Sequence, residues 1–151
     1  MTSRLLPERI DNTYRGHPLA LWLFAAVLAV KGLQSVMVIF NGNSIARSAD
    51  GIPLDTFSPA AAQAVVAMFA LSGFSRLIVV SLCLLVLLRY RAAVPFMLAL
   101  LGVDYLLKEL ILHFLPIPTV GTVPGPTMTL SLFVLTVVGL ALSLWRRPAR
   151  P

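Results

Sequence analysis

Five charged residues interrupt the apolar runs of this sequence: Lys31, Arg76, Asp104, Lys108 and Glu109. A charged group inside hydrocarbon is costly unless it is paired or hydrated, so such residues mark ion pairs, ligand sites or proton paths. Arginine adds a planar fork of donors that binds carboxylates and phosphates through two hydrogen bonds. These residue types therefore predict either anion binding or ion pairs that only fix the register of neighbouring helices.

The spacing of the charges along the chain predicts two matching depths. At about 1.5 Å per helical residue, Arg76 and Asp104 each lie roughly 19–20 Å from the arginine-rich turn at 89–91. Lys31 lies further out, roughly 24 Å from Arg15 at the same side of the membrane, and Glu109 lies roughly 27 Å from Arg91. We therefore expect Arg76 to pair with Asp104 and Lys31 to pair with Glu109, all in the outer half of the membrane.

Helical spacing adds two contacts, Asp104 with Lys108 and Glu109 with His113, each at i,i+4. Together with nearby polar residues, the predicted cluster consists of Lys31, Gln34, Ser72, Arg76, Asp104, Tyr105, Lys108, Glu109 and His113. Its three positive and two negative charges leave one cation to be balanced by Asp50, by Asp55 or by an anionic ligand. The inner half of the apolar runs has essentially no ionisable group, which predicts an outward-facing pocket rather than a continuous pore.

Other catalytic and metal-binding patterns are weak in this sequence. The Glu-x-x-x-His spacing of Glu109 and His113 differs from the Glu-x-x-His of di-iron bundles, and no second such pair exists. No serine has a histidine base with an orienting acid, and no glycine-rich phosphate loop occurs. The single cysteine, Cys83, excludes an intrachain disulfide and a CxxC site. We expect no catalytic residues, no metal site and no cofactor.

The elements that must position the cluster are four apolar runs, each long enough to cross about 30 Å of hydrocarbon. The composition is 58% hydrophobic and 12% charged, against about 25% charged in soluble domains. We therefore predict an all-α integral membrane four-helix bundle, a single domain over residues 1–151, with outer loops at 41–58 and 116–126. The very short turn at Tyr90 predicts a tight antiparallel hairpin. The predicted spans are Pro18–Phe40, Pro59–Leu88, Ala92–Leu115 and Thr127–Trp145.

The arginines predict the orientation, because basic residues accumulate on the cytoplasmic side of membrane proteins. With both termini cytoplasmic, the outer side carries only Arg47. The net charge of +6 does not predict nucleic-acid binding, because the basic residues lie at the ends of apolar runs. The predicted inner-side residues are Arg4, Arg9, Arg15, Arg89, Arg91, Arg146, Arg147 and Arg150.

Two families of small four-helix membrane proteins, the DoxX-like proteins and the small multidrug transporters, share the size and the four apolar runs. Lys31-Gly32 resembles the glycine–lysine neighbourhood in helix one of DoxX-like proteins, but Arg76 stands where an acid is expected in helix two. Small multidrug transporters carry a glutamate in helix one, where this chain has Lys31. A third family, the vitamin K reductase-like proteins, needs a CxxC pair, which this chain with its single cysteine lacks. None of these resemblances transfers a function to this chain.

We expect a small bacterial inner-membrane protein, more in keeping with a non-enzymatic bundle than with an enzyme. Its outward-facing charged pocket would bind a small or lipidic anion or stabilise a partner membrane protein. The expected partners are the lipid bilayer, an anionic lipid or small anion, and further copies or a larger membrane complex. One alternative is a proton-coupled small-solute transporter that uses Glu109 or Asp104. Another is a membrane redox or enzyme subunit.

Overall fold

The computed structural model describes residues 11–14, 16–121 and 123–145, and this part of the chain is built of α-helices joined by turns. Two 3-10 turns, Leu54–Thr56 and Arg91–Ala93, lie between the helices. The arginines at 4, 9, 15, 146, 147 and 150, used above to predict orientation, lie outside the described residues. The helices are α1 (Pro18–Phe40), α2 (Gly42–Ser48), α3 (Pro59–Arg89), α4 (Val94–Phe114) and α5 (Pro124–Leu144).

Side-chain caps and prolines fix where α1 and α3 begin. The Nδ1 atom of His17 accepts a hydrogen bond from the Leu19 N–H at 3.2 Å. The hydroxyl of Ser58 accepts one from the Ala61 N–H at 3.3 Å. A proline follows each cap, at a position where its missing N–H leaves no bond unmade. Both starts are therefore encoded locally, as the sequence predicts.

Two segments are more helical than expected. Pro124 begins α5, so the Pro-Gly-Pro run predicted to precede the helix forms its first turn, where prolines replace N–H groups that have no helical partner. The predicted outer loop at 41–58 contains α2, whose Ala46 is buried with Ile52 and Leu54. At α4 the reverse occurs: the helix begins at Val94, because the three residues before it form a 3-10 turn.

α1 lies between two neighbours, packing along α3 on one side and along α5 on the other, while α4 packs along α5. Phe24, Leu28, Leu98 and their neighbours form the main apolar core. α1 and α3 come close together at Gly73, where a Cβ atom would lie 3.0 Å from a carbonyl oxygen of α1. Glycine at this position lets the two helices pack backbone to backbone.

The large apolar side chains mostly point outward, as Trp22, Phe40 and Leu71 do. A protein dissolved in water rarely presents so much contiguous apolar surface. Three of the long helices, α1, α3 and α5, are long and apolar enough to cross a membrane. α4 has a similar length but carries three charged residues among its apolar ones. These properties indicate a membrane protein.

The segment before α1 closes one end of the helices. The Ala92 N–H, in the turn between α3 and α4, donates to the Asp11 carbonyl at 3.3 Å. The His17 N–H donates to the carbonyl of Leu142, near the end of α5, at 3.2 Å. This segment therefore joins the α3–α4 turn to the end of α5, opposite the end where the charged residues are found.

Candidate functional site

One face of α3 changes from buried to exposed along its length. Val86, Cys83, Val79, Arg76 and Ser72 are spaced three or four residues apart, so they share one side of the helix. Val86 and Cys83 are buried, and Cys83 is only 1% exposed. Val79 is 39% exposed, and Arg76 and Ser72 are exposed. The neighbour that covers this face near the turn is therefore absent further along it.

α4 is one of the neighbours that cover this face near the turn, and its facing stripe shows the same change. Val94 and Leu101 are buried in the same core as Cys83 and Val86 of α3. Further along, the side chains of Asp104 and Lys108 are 45% and 42% exposed. α3 and α4 contact each other far less than α1 and α3 do. The predicted hairpin is therefore tight only near its turn, and we call the opening beyond it the α3–α4 cleft.

An ion pair lies in the α3–α4 cleft. Lys108 Nζ donates to Asp104 Oδ2 at 2.6 Å, the pair that the i,i+4 spacing predicts. Lys31 enters from α1, and the charges of Lys108, Asp104 and Arg76 all act on it. Among the described residues, the cleft thus brings three cations to a single acid, Asp104.

Arg76 makes no hydrogen bond or ion pair with any other described residue. The carboxylate of Asp50, in the segment after α2, acts on it through space. Burial raises the pKa of Asp50, and the Arg76 guanidinium opposes that rise. Asp55 pairs instead with Arg47. Of the two acids expected to supply the missing negative charge, Asp50 is therefore the one that acts on Arg76.

The two pairs predicted from depth, Arg76 with Asp104 and Lys31 with Glu109, are not ion pairs in the described structure. Equal depth is not sufficient, because the side chains must also point toward each other. Glu109 lies about 100° around α4 from Lys108, and it is exposed outside the stripe that carries the Asp104–Lys108 pair. These two predicted pairs are therefore wrong, whereas the predicted pair of Asp104 with Lys108 is present.

Tyr105, Glu109 and His113 also lie on α4. The ring of Tyr105 stacks on Phe133 of α5, with centroids 4.2 Å apart and an interplanar angle of 16°. The charge of Glu109 acts on the Tyr105 hydroxyl. His113 is exposed and touches Phe114 edge to face. No bond joins Glu109 to His113 in the described structure, so the nine predicted residues do not form one cluster, and His113 contacts neither the cleft nor Tyr105.

The polar residues beside the cleft differ in their free hydrogen-bonding capacity. Ser35 and Ser75 each donate to the carbonyl four residues earlier, at 2.7 and 3.1 Å. Ser72 and Gln34 make no hydrogen bond within the described part of the chain. Ser72 lies one helical turn from Arg76, so its hydroxyl and the guanidinium present neighbouring donors to the cleft.

Among residues 11–14, 16–121 and 123–145, no group of three His, Cys, Asp or Glu residues is placed to hold a metal ion. The donors of the cleft are instead cationic and hydroxyl groups, which suit an anion. Sequence reasoning did not identify the opening between the helices, although the change from Val86-Cys83 to Arg76-Ser72 along one stripe of α3 was a signal for it.

Comparisons with protein-family models, with curated proteins and with solved structures find no match to this chain. Function is therefore inferred from the chemistry of the cleft.

Proposed function

We propose that all four long helices cross the inner membrane, with both termini in the cytoplasm. α4 has 21 residues, or about 31 Å at the helical rise, which matches the hydrocarbon thickness. It packs along α5, which is itself apolar enough to span. Two of its three charges, Asp104 and Lys108, pair with each other at the α3–α4 cleft, where a membrane helix tolerates them. The arginines at the α3–α4 turn favour the cytoplasmic side for that end.

In this arrangement the α3–α4 cleft is a non-enzymatic binding site for an anionic group that approaches from the outer side. The observation that carries the proposal is the exposed and unpaired Arg76, placed beside Lys31 and the Asp104–Lys108 pair. Because Glu109 is not part of the cleft, the three cations of the cleft exceed its one acid, Asp104, by two charges. Asp50 offsets one of these two. A carboxylate or phosphate supplies the remaining charge, and its oxygens match the guanidinium fork.

Thermal unfolding of the purified chain in an uncharged detergent tests this proposal. Inorganic phosphate and acetate are titrated against sodium chloride at matched ionic strength. A bound anion at one hundred times its dissociation constant stabilises the folded state by about 2.7 kcal/mol, or roughly 5–10 °C for a chain of this size.

Arg76→Gln is expected to abolish the stabilisation. Arg89→Gln is the matched control, because it removes the same charge from the other end of α3, outside the cleft. Equal loss in the two variants would show a general charge effect and overturn the proposed site. No effect of either anion on the wild type would indicate that the charges only hold helices in register.

A further inference from the structure

The walls of the α3–α4 cleft are apolar and uncovered. Val79 of α3 is partly exposed, and Leu100 and Leu107 of α4 are about half exposed. At about 100° per residue, Leu100 and Leu107 lie roughly 40° and 60° around α4 from Asp104. They lie on the side away from Tyr105, which contacts α5. These three side chains therefore border the opening where α3 and α4 have separated.

The opening faces sideways as well as outward. In the described part of the chain, α3 and α4 share few contacts, and Val79 and Leu100 remain 39% and 46% exposed. In a bilayer, lipid chains would meet this side of the protein directly. A molecule in the cleft would therefore contact cations at the level of Arg76 and hydrocarbon walls toward the turn.

This combination of charge and apolar wall fits one class of occupant. A small soluble anion would balance the charge of Arg76 and Lys31 but would leave the apolar walls of the cleft uncovered. A lipid whose headgroup carries a phosphate or carboxylate matches both parts. Its chain exchanges one apolar environment for another at little cost, since lipid tails are as apolar as leucine. Selectivity would then come from the charge of the headgroup.

We propose that the occupant of the α3–α4 cleft is an anionic lipid that enters laterally from the outer leaflet. Its headgroup lies at Arg76 and Lys31, and one acyl chain runs past Val79 and Leu100. This inference rests on the proposed anion site and adds the class of ligand and its route of entry.

Fluorescence quenching by brominated lipids tests the proposal. The reporter is Leu100→Trp, in a background where the two exposed tryptophans are replaced by phenylalanine, Trp22→Phe and Trp145→Phe. The protein is reconstituted in neutral phosphatidylcholine vesicles, with increasing mole fractions of phosphatidylglycerol or phosphatidylcholine brominated on the acyl chains. We expect half-maximal quenching at an approximately fivefold lower mole fraction of the anionic lipid, the factor that one uncompensated basic residue contributes.

Two variants serve as controls. Ile78→Trp places the reporter about 200° around α3 from Arg76, on an exposed apolar face, and should be quenched equally by both lipids. Adding Arg76→Gln to the Leu100→Trp reporter should remove the preference for the anionic lipid.

Equal quenching of the Leu100→Trp reporter by both lipids would overturn the lipid proposal. So would an equal anionic preference at Ile78→Trp, because that would reflect general attraction to a basic surface. If phosphate still stabilises the purified protein in either case, the anion site stands with a soluble ligand. Failure of both the quenching and the phosphate titration would overturn the site itself.

Discussion

Asp104 is the acid of the α3–α4 cleft that pairs with Lys108 and whose charge also acts on Lys31. We predict that Asp104→Asn destabilises the protein more than Lys108→Met does, although the two changes break the same ion pair. Asparagine keeps the shape of the side chain but leaves Lys31, Arg76 and Lys108 facing one another. Lys108→Met leaves Asp104 facing Lys31 and removes one like charge from the neighbourhood.

The expected difference follows from the contacts of Asp104. Its Oδ2 lies 2.6 Å from Lys108 Nζ, and its charge also acts on Lys31. Leaving a fully buried charge without its partner costs about 3–5 kcal/mol, whereas an average polar contact between membrane helices is worth about 0.6 kcal/mol. Both side chains are nearly half exposed, so we expect an intermediate loss of about 1–2 kcal/mol for Asp104→Asn. For Lys108→Met we expect less than about 0.5 kcal/mol.

Unfolding by increasing mole fractions of an anionic detergent, followed by far-ultraviolet circular dichroism, measures both variants against the wild type. The double variant completes the cycle and isolates the energy of the pair from the effect of Asp104 on Lys31. Equal costs for the two single changes would refute the reasoning, because Asp104 would then have no partner besides Lys108. A larger cost for Lys108→Met would show that the cations of the cleft do not repel one another.

Three further predictions concern packing, pH and orientation. Gly73→Ala should lower the free energy of unfolding by about 1–3 kcal/mol because its Cβ would press on the α1 backbone. Gly102 has open space around it, so Gly102→Ala should raise the free energy of unfolding by about 0.5–1 kcal/mol in the same unfolding assay. Burial raises the pKa of Asp50, so the folded state holds that proton to a higher pH than the unfolded chain does. The stability of the wild type relative to Asp50→Asn should then fall as the pH rises through that pKa, and a constant difference in melting temperature would contradict this. In a cysteine-free background, Ser48→Cys should react with an impermeant maleimide on intact cells and Tyr90→Cys only after permeabilisation; the opposite pattern would reverse the proposed orientation.

The long helices could be predicted because their signals are local. A proline after a capping residue marks the start of α1 and of α3, and the apolar runs give the lengths. The structure places α1 at Pro18–Phe40, with the bounds that the sequence predicts. α2 could not be predicted in this way. It has only seven residues, and its packing depends on Ile52 and Leu54 further along the chain.

The partners of the charged residues could not be predicted from depth alone. Depth follows from counting residues, but the direction of a side chain depends on how each helix is rotated against its neighbours. Contacts such as that of Gly73 with the α1 backbone set this rotation. The same limit applies to the separation of α3 from α4, since a short turn fixes the distance between two helices only where they begin.

The hydrogen bonds of the segment before α1 have a consequence for the order of assembly. Asp11 and His17 find their partners in Ala92 and Leu142, so residues made early in synthesis bond to residues made late. The bond to Leu142 cannot form until α5 has been synthesised and inserted. The end of the helices near the α3–α4 turn therefore stays open while the earlier helices enter the membrane. It closes only after α5 has inserted.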